Sequence, residues 1–389
     1  MTATKIEWCD LTWNPVRGCQ RVSPGCANCY AEGQANRFKK PGQPYEGLVK
    51  LNGKGRPVWT GRARGVPGKL AAPLSWRRRA AARIRLMEAT ARANDNATKA
   101  LAGLPGTKWV RSGVRASAPG RLRVFVNSMS DLFHEDVSNE FIAAVFGVMA
   151  ACRDIDFLVL TKRPARMARW FDWVIHDGSM GYYTWQALRE YAATRGVDER
   201  KLDEAMGSPW PWPLPNVHLG VSVEDQQRAD ERIPLLLQCL AAVRWVSAEP
   251  LLAPVDFSRW LNASKRFRGV PQVAGQTVRC KRQYGLENRT APTLDWLVCG
   301  GESGPRARAY DLAWACSLIE QCKNAGTPVF HKQLGTGRRH GPTGSKMREQ
   351  PWDEAPATPG AWVYKHPKGA DISEWPPELQ VREFPRTSY

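Results

Sequence analysis

Long apolar runs are missing from this chain of 389 residues. No stretch approaches the ~20 apolar residues that a membrane helix requires, so no membrane span is predicted. The start, MTATKIEWCDLTW, lacks a basic segment followed by an apolar run, and so does not read as a secretory signal. A cytoplasmic protein is expected. Acid is also scarce. The chain carries 56 Lys or Arg against 37 Asp or Glu, a formal net charge of +19. Residues 39 to 85 hold thirteen Lys or Arg and one acid, Glu46. Such an excess favours a polyanion such as nucleic acid, the alternative being a solvated basic surface that serves solubility. A fourth cysteine is missing from the place where three are crowded, GCQRVSPGCANCYA at 18–31.

What is present is a core. Hydrophobic residues make up 43% of the chain, ordinary for a folded protein. Six short apolar runs end in polar or glycine-containing turns: RVFVNSMSDLF (123–133), FLVLTKRP (157–164), VHLGVSVE (217–224), VRWVSAEPLL (243–252), LDWLVCGGESG (294–304) and PVFHKQLG (328–335). Their β-branched and aromatic bias predicts buried strands. Helical patterns lie between them. NEFIAAVFGVMAAC (139–152) has Ser138 as its N-cap, and DLAWACSLIEQCKNAG (311–326) closes on Gly326. DQQRADERIPLLLQCL (225–240) contains Pro234, which predicts a kink or a division.

Strand–helix alternation predicts a parallel α/β sheet. With a further strand near KIEWCDLTW, six or seven units suit a partial or complete (β/α) barrel of the TIM type, with a doubly wound open sheet as the alternative. One domain is expected over 1–335, with basic or Gly/Pro-rich insertions at about 39–120, 172–215 and 257–292. Residues 336–389 read as a Pro-rich extension draped loosely on the barrel.

In such a barrel, chemistry gathers after the strand C-termini. That rule selects Asn127, Asp131 and His134; Lys162 and Arg163; Ser222 and Glu224; Glu249; and Gly300, Gly301 and Glu302. His134 can carry a proton or bind a phosphate, and the two cations can pair with a carboxylate or a phosphate. Glu249 can hold a ribose, a base edge or Lys162. Trp8, Trp13, Trp59 and Trp76 lie near the cysteines or the basic insertion, where packing is the usual role and base stacking the other.

Cys19, Cys26 and Cys29 have the spacing C-x6-C-x2-C. Crowded thiolates in a reducing compartment point to a soft metal or a redox centre rather than a disulfide. A structural zinc needs a fourth ligand, for which Cys9 and His134 are candidates. A [4Fe–4S] cluster on three cysteines leaves one iron open.

Cys26-Ala-Asn-Cys29-Tyr30 resembles the end of a radical SAM cluster loop, whose common spacing is C-x3-C-x2-C. The chain is similar to a phage-type three-Cys-motif family, radical-SAM-like proteins of phages and bacteria. The segments that carry the resemblance include TKIEWCDLTWNPVRGCQRVSPGCANCYAE, FVNSMSDLFHEDV, FLVLTKRPARM, SAEPLLAPVD and DWLVCGGESGPRAR. The resemblance implies a radical-SAM-type barrel with a [4Fe–4S] cluster on Cys19, Cys26 and Cys29. It implies S-adenosyl-L-methionine at the open iron, and an electron donor such as flavodoxin or ferredoxin. Gly300, Gly301 and Glu302 resemble a Gly-Gly-Glu strand end that faces the methionyl amino group, though it falls late in this chain. Ser222, Glu249 and Asn127 become further cofactor or substrate contacts. The basic insertions make a nucleic acid or nucleotide the expected substrate. The competing expectation is a non-enzymatic nucleic-acid-binding protein with zinc at the three-Cys loop.

Overall fold

A computed structural model of the chain describes residues 4–86, 88–89, 120–175, 213–261, 293–304, 306–336, 339–340, 366 and 368–385. The predicted insertions at 172–215 and 257–292 therefore lie largely outside the described residues. Of the first, 39–86 is described and ends in helical turns over 77–86.

Seven strands form one parallel sheet. They are β1 (Leu11–Trp13), β6 (Leu122–Val126), β7 (Ile155–Thr161), β8 (Val217–Ser222), β9 (Val243–Ala248), β10 (Trp296–Cys299) and β11 (Val329–His331). Their spatial order is their chain order, and every neighbouring pair is parallel. A doubly wound sheet reverses its order at a switch point; this one never does. Crossovers of one hand then place the helices on a single face, and the sheet curls into a half-barrel. The barrel is partial, since β1 and β11 are not paired with each other.

Side chains alternate across the strands. Val124, Val126, Phe157, Val159, Leu219, Val221, Val246 and Leu297 point to the convex face. There they meet α2 (Asn139–Ala151), α3 (Pro164–Ile175), α4 (Gln226–Gln238) and α5 (Leu312–Ala325) in the main apolar core. The alternate residues Phe125, Leu158, Trp245, Trp296, Val298 and Phe330 line the concave face with Trp8 and Cys9. Ser138 caps α2 by accepting from the Phe141 N–H, and Gly326 ends α5 in the left-handed region at φ +70°. The α4 helix runs undivided through Pro234, because its neighbours Ile233 and Leu236 are buried and hold the turn in place.

Between β1 and β6 lies a small lobe. It contains β2 (Val16–Gly18), α1 (Tyr30–Asn36), β3 (Val49–Leu51), β4 (Pro57–Trp59) and β5 (Ala63–Gly65). β2 pairs antiparallel with β5, and β3 with β4. The described part of the C-terminal extension, 368–385, is docked on the sheet and not loosely draped. Trp375 and Leu379 are buried, and the chain runs antiparallel to the exposed edge of β11 through His331 N–H to Val381 O and Glu383 N–H to Val329 O. An open sheet edge with unpaired backbone groups gives the tail a template to bind.

Candidate functional site: the cysteine loop across the half-barrel mouth

β1 and β2 deliver the chain to the C-terminal rim of the sheet, and Gly18 starts the cysteine loop. Its φ is +85°, and a Cβ there would stand 2.2 Å from the Arg62 carbonyl oxygen, so glycine is required. From Cys19 to Cys29 the loop is fastened to four different strand ends. Tyr30 Oη, just past the loop, donates to the Ser128 carbonyl beyond β6. Arg163, beyond β7, donates to the Gln20 carbonyl at 3.3 Å. Beyond β8, Glu224 accepts from the Gly25 N–H at 3.2 Å. Beyond β10, Glu302 accepts from Asn28 Nδ2 at 3.0 Å, and Arg308 donates to the Pro24 carbonyl at 2.8 Å.

The carboxylates in these fastenings are held ionised by arginines. Glu224 and Arg232 form a buried pair at 3.0 Å. Burial by itself would raise the Glu224 carboxyl, but Arg232, the Ser23 hydroxyl, Lys162 and the Gly25 N–H hold it below the ordinary range. Glu302 receives a two-pronged contact from Arg308, at 2.7 and 3.0 Å, plus the Arg308 N–H. There too burial pushes upward and the Arg308 and Asn28 hydrogen bonds prevail, leaving the carboxyl low. Glu302 is thus engaged by the chain's own cation and amide. Gly300 and Gly301 permit close approach of backbone to backbone: a Cβ on Gly301 would lie 2.2 Å from the Leu334 carbonyl oxygen, and one on Gly300 3.2 Å from that of Gln333.

The three thiols carry no disulfide. Cys19 and Cys29 rest against the apolar cluster of Ala31, Ala35, Val49 and Trp59. Burial pushes the Cys19 thiol up to about 12, helped by the charges of Asp131 and Cys29 and opposed by Arg163. Burial likewise raises Cys29, and Cys26 adds to that rise. Each sulfur thus lies within electrostatic reach of another. Among the described residues, however, no group of three or more Cys, His, Asp or Glu side chains stands closed around a metal-sized centre. Three thiols within eleven residues, free of disulfides and on the rim of a parallel sheet, are soft donors of the kind that hold zinc or an iron–sulfur group.

Asp131 organises the rim beside them. It accepts from Thr161 Oγ1 at 2.7 Å, the Phe133 and Lys162 N–H groups at 3.0 Å, and Arg163 at 3.3 Å. The Lys162 side chain forms no ion pair among the described residues, and its charge acts on Glu224 across the rim. His134 is buried beside this network, and burial with the Arg163 charge lowers its pKa; its Nε2 has no partner among the described residues. Asn127 takes φ +61°, accepts from the Val16 N–H at 3.3 Å, and leaves its buried Nδ2 without a partner among them.

Glu249 pairs not with Lys162 but with Lys332, at 3.0 Å. Its other oxygen accepts from Trp8 Nε1 at 3.3 Å and Ser247 Oγ at 3.2 Å. Burial would lower the Lys332 ammonium, but Glu249 and Glu7 outweigh it and raise it. Ser222 ends β8, and its carbonyl accepts from Arg232. Lys332, Arg232 and Arg308 are residues of the rim that the strand-end rule did not select, and the structure brings them to it. For Lys332 a signal existed: two positions after Phe330, alternation puts it on the concave face.

The family model described as "Protein of unknown function (DUF5131)" matches residues 3–356. The chain belongs to this family. The match takes in the cysteine loop, the small lobe and all seven strands of the half-barrel. No curated protein and no solved structure matches the chain. Among the described residues, no helix is long and apolar enough to cross a membrane.

Proposed function

We propose that this chain is a radical-SAM-like iron–sulfur enzyme acting on a nucleic acid or nucleotide, in modification or repair. The supporting observation is the fastening of one three-cysteine loop to the ends of β6, β7, β8 and β10, at the rim where parallel β/α barrels carry their chemistry. In this reading Cys19, Cys26 and Cys29 hold a [4Fe–4S] cluster, with S-adenosyl-L-methionine at its open iron. When reduced by a donor of the flavodoxin or ferredoxin kind, the bound group supplies the electron that cleaves the sulfonium.

The chain's own residues perform the remaining tasks. Glu224–Arg232 and Glu302–Arg308 hold the loop in position over the concave face. Lys162 offers an ammonium to a phosphate or carboxylate, and Arg163 aligns the loop while shared with Asp131. The Glu249–Lys332 pair sets a fixed dipole beside Trp8 at the floor of the mouth. The His134 Nδ1 accepts from the Asp136 N–H at 3.2 Å, so the neutral ring carries its proton on Nε2, which has no partner among the described residues and can donate it.

The test is reconstitution with iron and sulfide under anaerobic conditions. A brown protein with broad absorbance near ~400 nm is expected, lost in Cys19→Ala, Cys26→Ala and Cys29→Ala variants. With dithionite and S-adenosyl-L-methionine it should yield 5′-deoxyadenosine. A colourless protein holding one tight zinc would overturn this reading in favour of the non-enzymatic zinc protein.

A further inference from the structure

We infer that the small lobe beside the cysteine loop is a docking surface for single-stranded nucleic acid, gripped through phosphates and base faces rather than through the sugar. The inference deepens the substrate class proposed above and rests on that reading for its purpose, but the binding itself requires no cluster.

Two independent observations converge. The first is uncompensated charge. Residues 37 to 69 carry nine Lys or Arg and one acid, Glu46. Glu46 is occupied locally, accepting from the Gly42 N–H. Lys50, Lys54, Arg56, Arg62 and Arg64 are exposed, and none of the nine cations forms an ion pair among the described residues. Elsewhere on the half-barrel, arginines such as Arg121, Arg163, Arg232 and Arg308 are matched with carboxylates. Cations left unmatched on one lobe repel each other, and a polyanion relieves that repulsion with release of its counterions.

The second observation is exposed aromatic surface. Trp8, Trp13, Trp59 and Trp76 are all buried, so none can receive a base. Tyr30 and Phe38 are different: they are 57% and 49% exposed. Both belong to the lobe, at the start of α1 and just past its end, and Phe38 stands between Arg37 and Lys39. Aromatic rings set among cations are stacking platforms for unpaired bases; duplex DNA, its bases already stacked, cannot use them.

Position connects this surface to the rim. α1 begins at the residue after Cys29, and β2 pairs with β5 immediately before Cys19. The Tyr30 hydroxyl, bonded to the Ser128 carbonyl, keeps its ring at the mouth. A strand laid along the lobe therefore runs toward the cysteine loop. The lobe's two carboxylates, Glu32 and Glu46, are both engaged within the chain, Glu32 by Arg21 and the Trp59 N–H and Glu46 by the Gly42 N–H, which leaves the lobe little carboxylate with which to read a 2′-hydroxyl.

The experiment uses the full chain, with and without reconstituted cluster, and fluorescence anisotropy of labelled 12-nucleotide dT and rU strands and a 12-base-pair duplex. Expected are binding of both single strands within about threefold of each other, weaker duplex binding, and a log–log salt slope of about −3, as for four or five phosphate contacts. Phe38→Ala should weaken single-strand binding about tenfold, and Phe38→Trp should restore it. The triple variant Lys50→Glu, Lys54→Glu, Arg56→Glu should flatten the salt slope. Lys323→Glu, exposed on the outer side of α5, should change neither. Tighter duplex binding, a strong RNA preference, or indifference to the Phe38 and triple variants in correctly folded protein would overturn the inference. Retained strand binding by a colourless protein would instead overturn only the cluster reading.

Discussion

Two ion pairs hold the cysteine loop, and they differ in where they stand. Glu224–Arg232 lies inside the β8–α4 unit, with side-chain exposures of 1% and 6%. Glu302–Arg308 lies on the outer side of the rim, where the arginine is 32% exposed. Water can screen and replace the second arginine, but it cannot reach the first. The same chemistry therefore plays two parts. The inner pair is inseparable from folding, because an unpaired charge there has no solvent to turn to. The outer pair is a fastening that the molecule can survive losing.

The sharpest way to break this comparison is to remove one arginine at a time. Arg232→Ala should destabilise the protein by about 3–5 kcal/mol in urea unfolding, the cost of leaving a buried carboxylate alone. The double variant Arg232→Leu, Glu224→Gln should recover much of that loss. Equal losses in the single and double variants would contradict this account.

Acid separates fastening from core. Burial pushes His218 down to about 4 and His331 to about 3. Both are neutral in the fold yet bind protons when unfolded below about pH 6.5. Their stabilisation is thus complete above that pH and is lost as pH falls toward 4, with a slope of up to about 2.7 kcal/mol per pH unit for the two together. The carboxylates of both fastenings have lowered pKa values, so their contribution persists through this window and fades only below the ordinary glutamate range. Urea midpoints between pH 4.5 and 7.5 should show the slope, and His331→Gln should roughly halve it. A flat profile would mean that the histidines titrate alike in both states.

The smallest effect is expected at the outer pair. Arg308→Ala should cost about 1 kcal/mol or less in global stability. It should nevertheless raise amide hydrogen exchange at Gly25, Cys26 and Asn28, while Phe125 and Val246 in the sheet stay protected. Opening that spread into the sheet would make the outer pair a folding element after all.

Much of the architecture was legible because local patterns decide it. The runs ending at Val126, Thr161, Ser222, Ala248 and Cys299 each carried the bias of a buried strand, and all became neighbours in chain order. Ser138 and Gly326 ended their helices as their chemistry requires. The docking of 368–385 was not legible, because Trp375 and Leu379 look like isolated apolar residues until the open edge of β11 is known. The partner of Glu249 was also hidden. Lys162 and Lys332 are equally plausible cations in sequence, and only the curl of the sheet brings the end of β11 to that carboxylate.

The sequence alone determined the alternation of strands and helices, the rim positions of the polar residues, the clustering of three cysteines in one loop and the excess of positive charge on the first insertion. These follow from periodicity and composition, which act over a few residues. Tertiary structure decided which charges meet. It engaged Glu302 with Arg308, buried Glu224 against Arg232, left Lys162 without an ion pair among the described residues and put Tyr30 and Phe38 in water. Pairing energies depend on distance and burial, and both are fixed only when distant segments fold against one another.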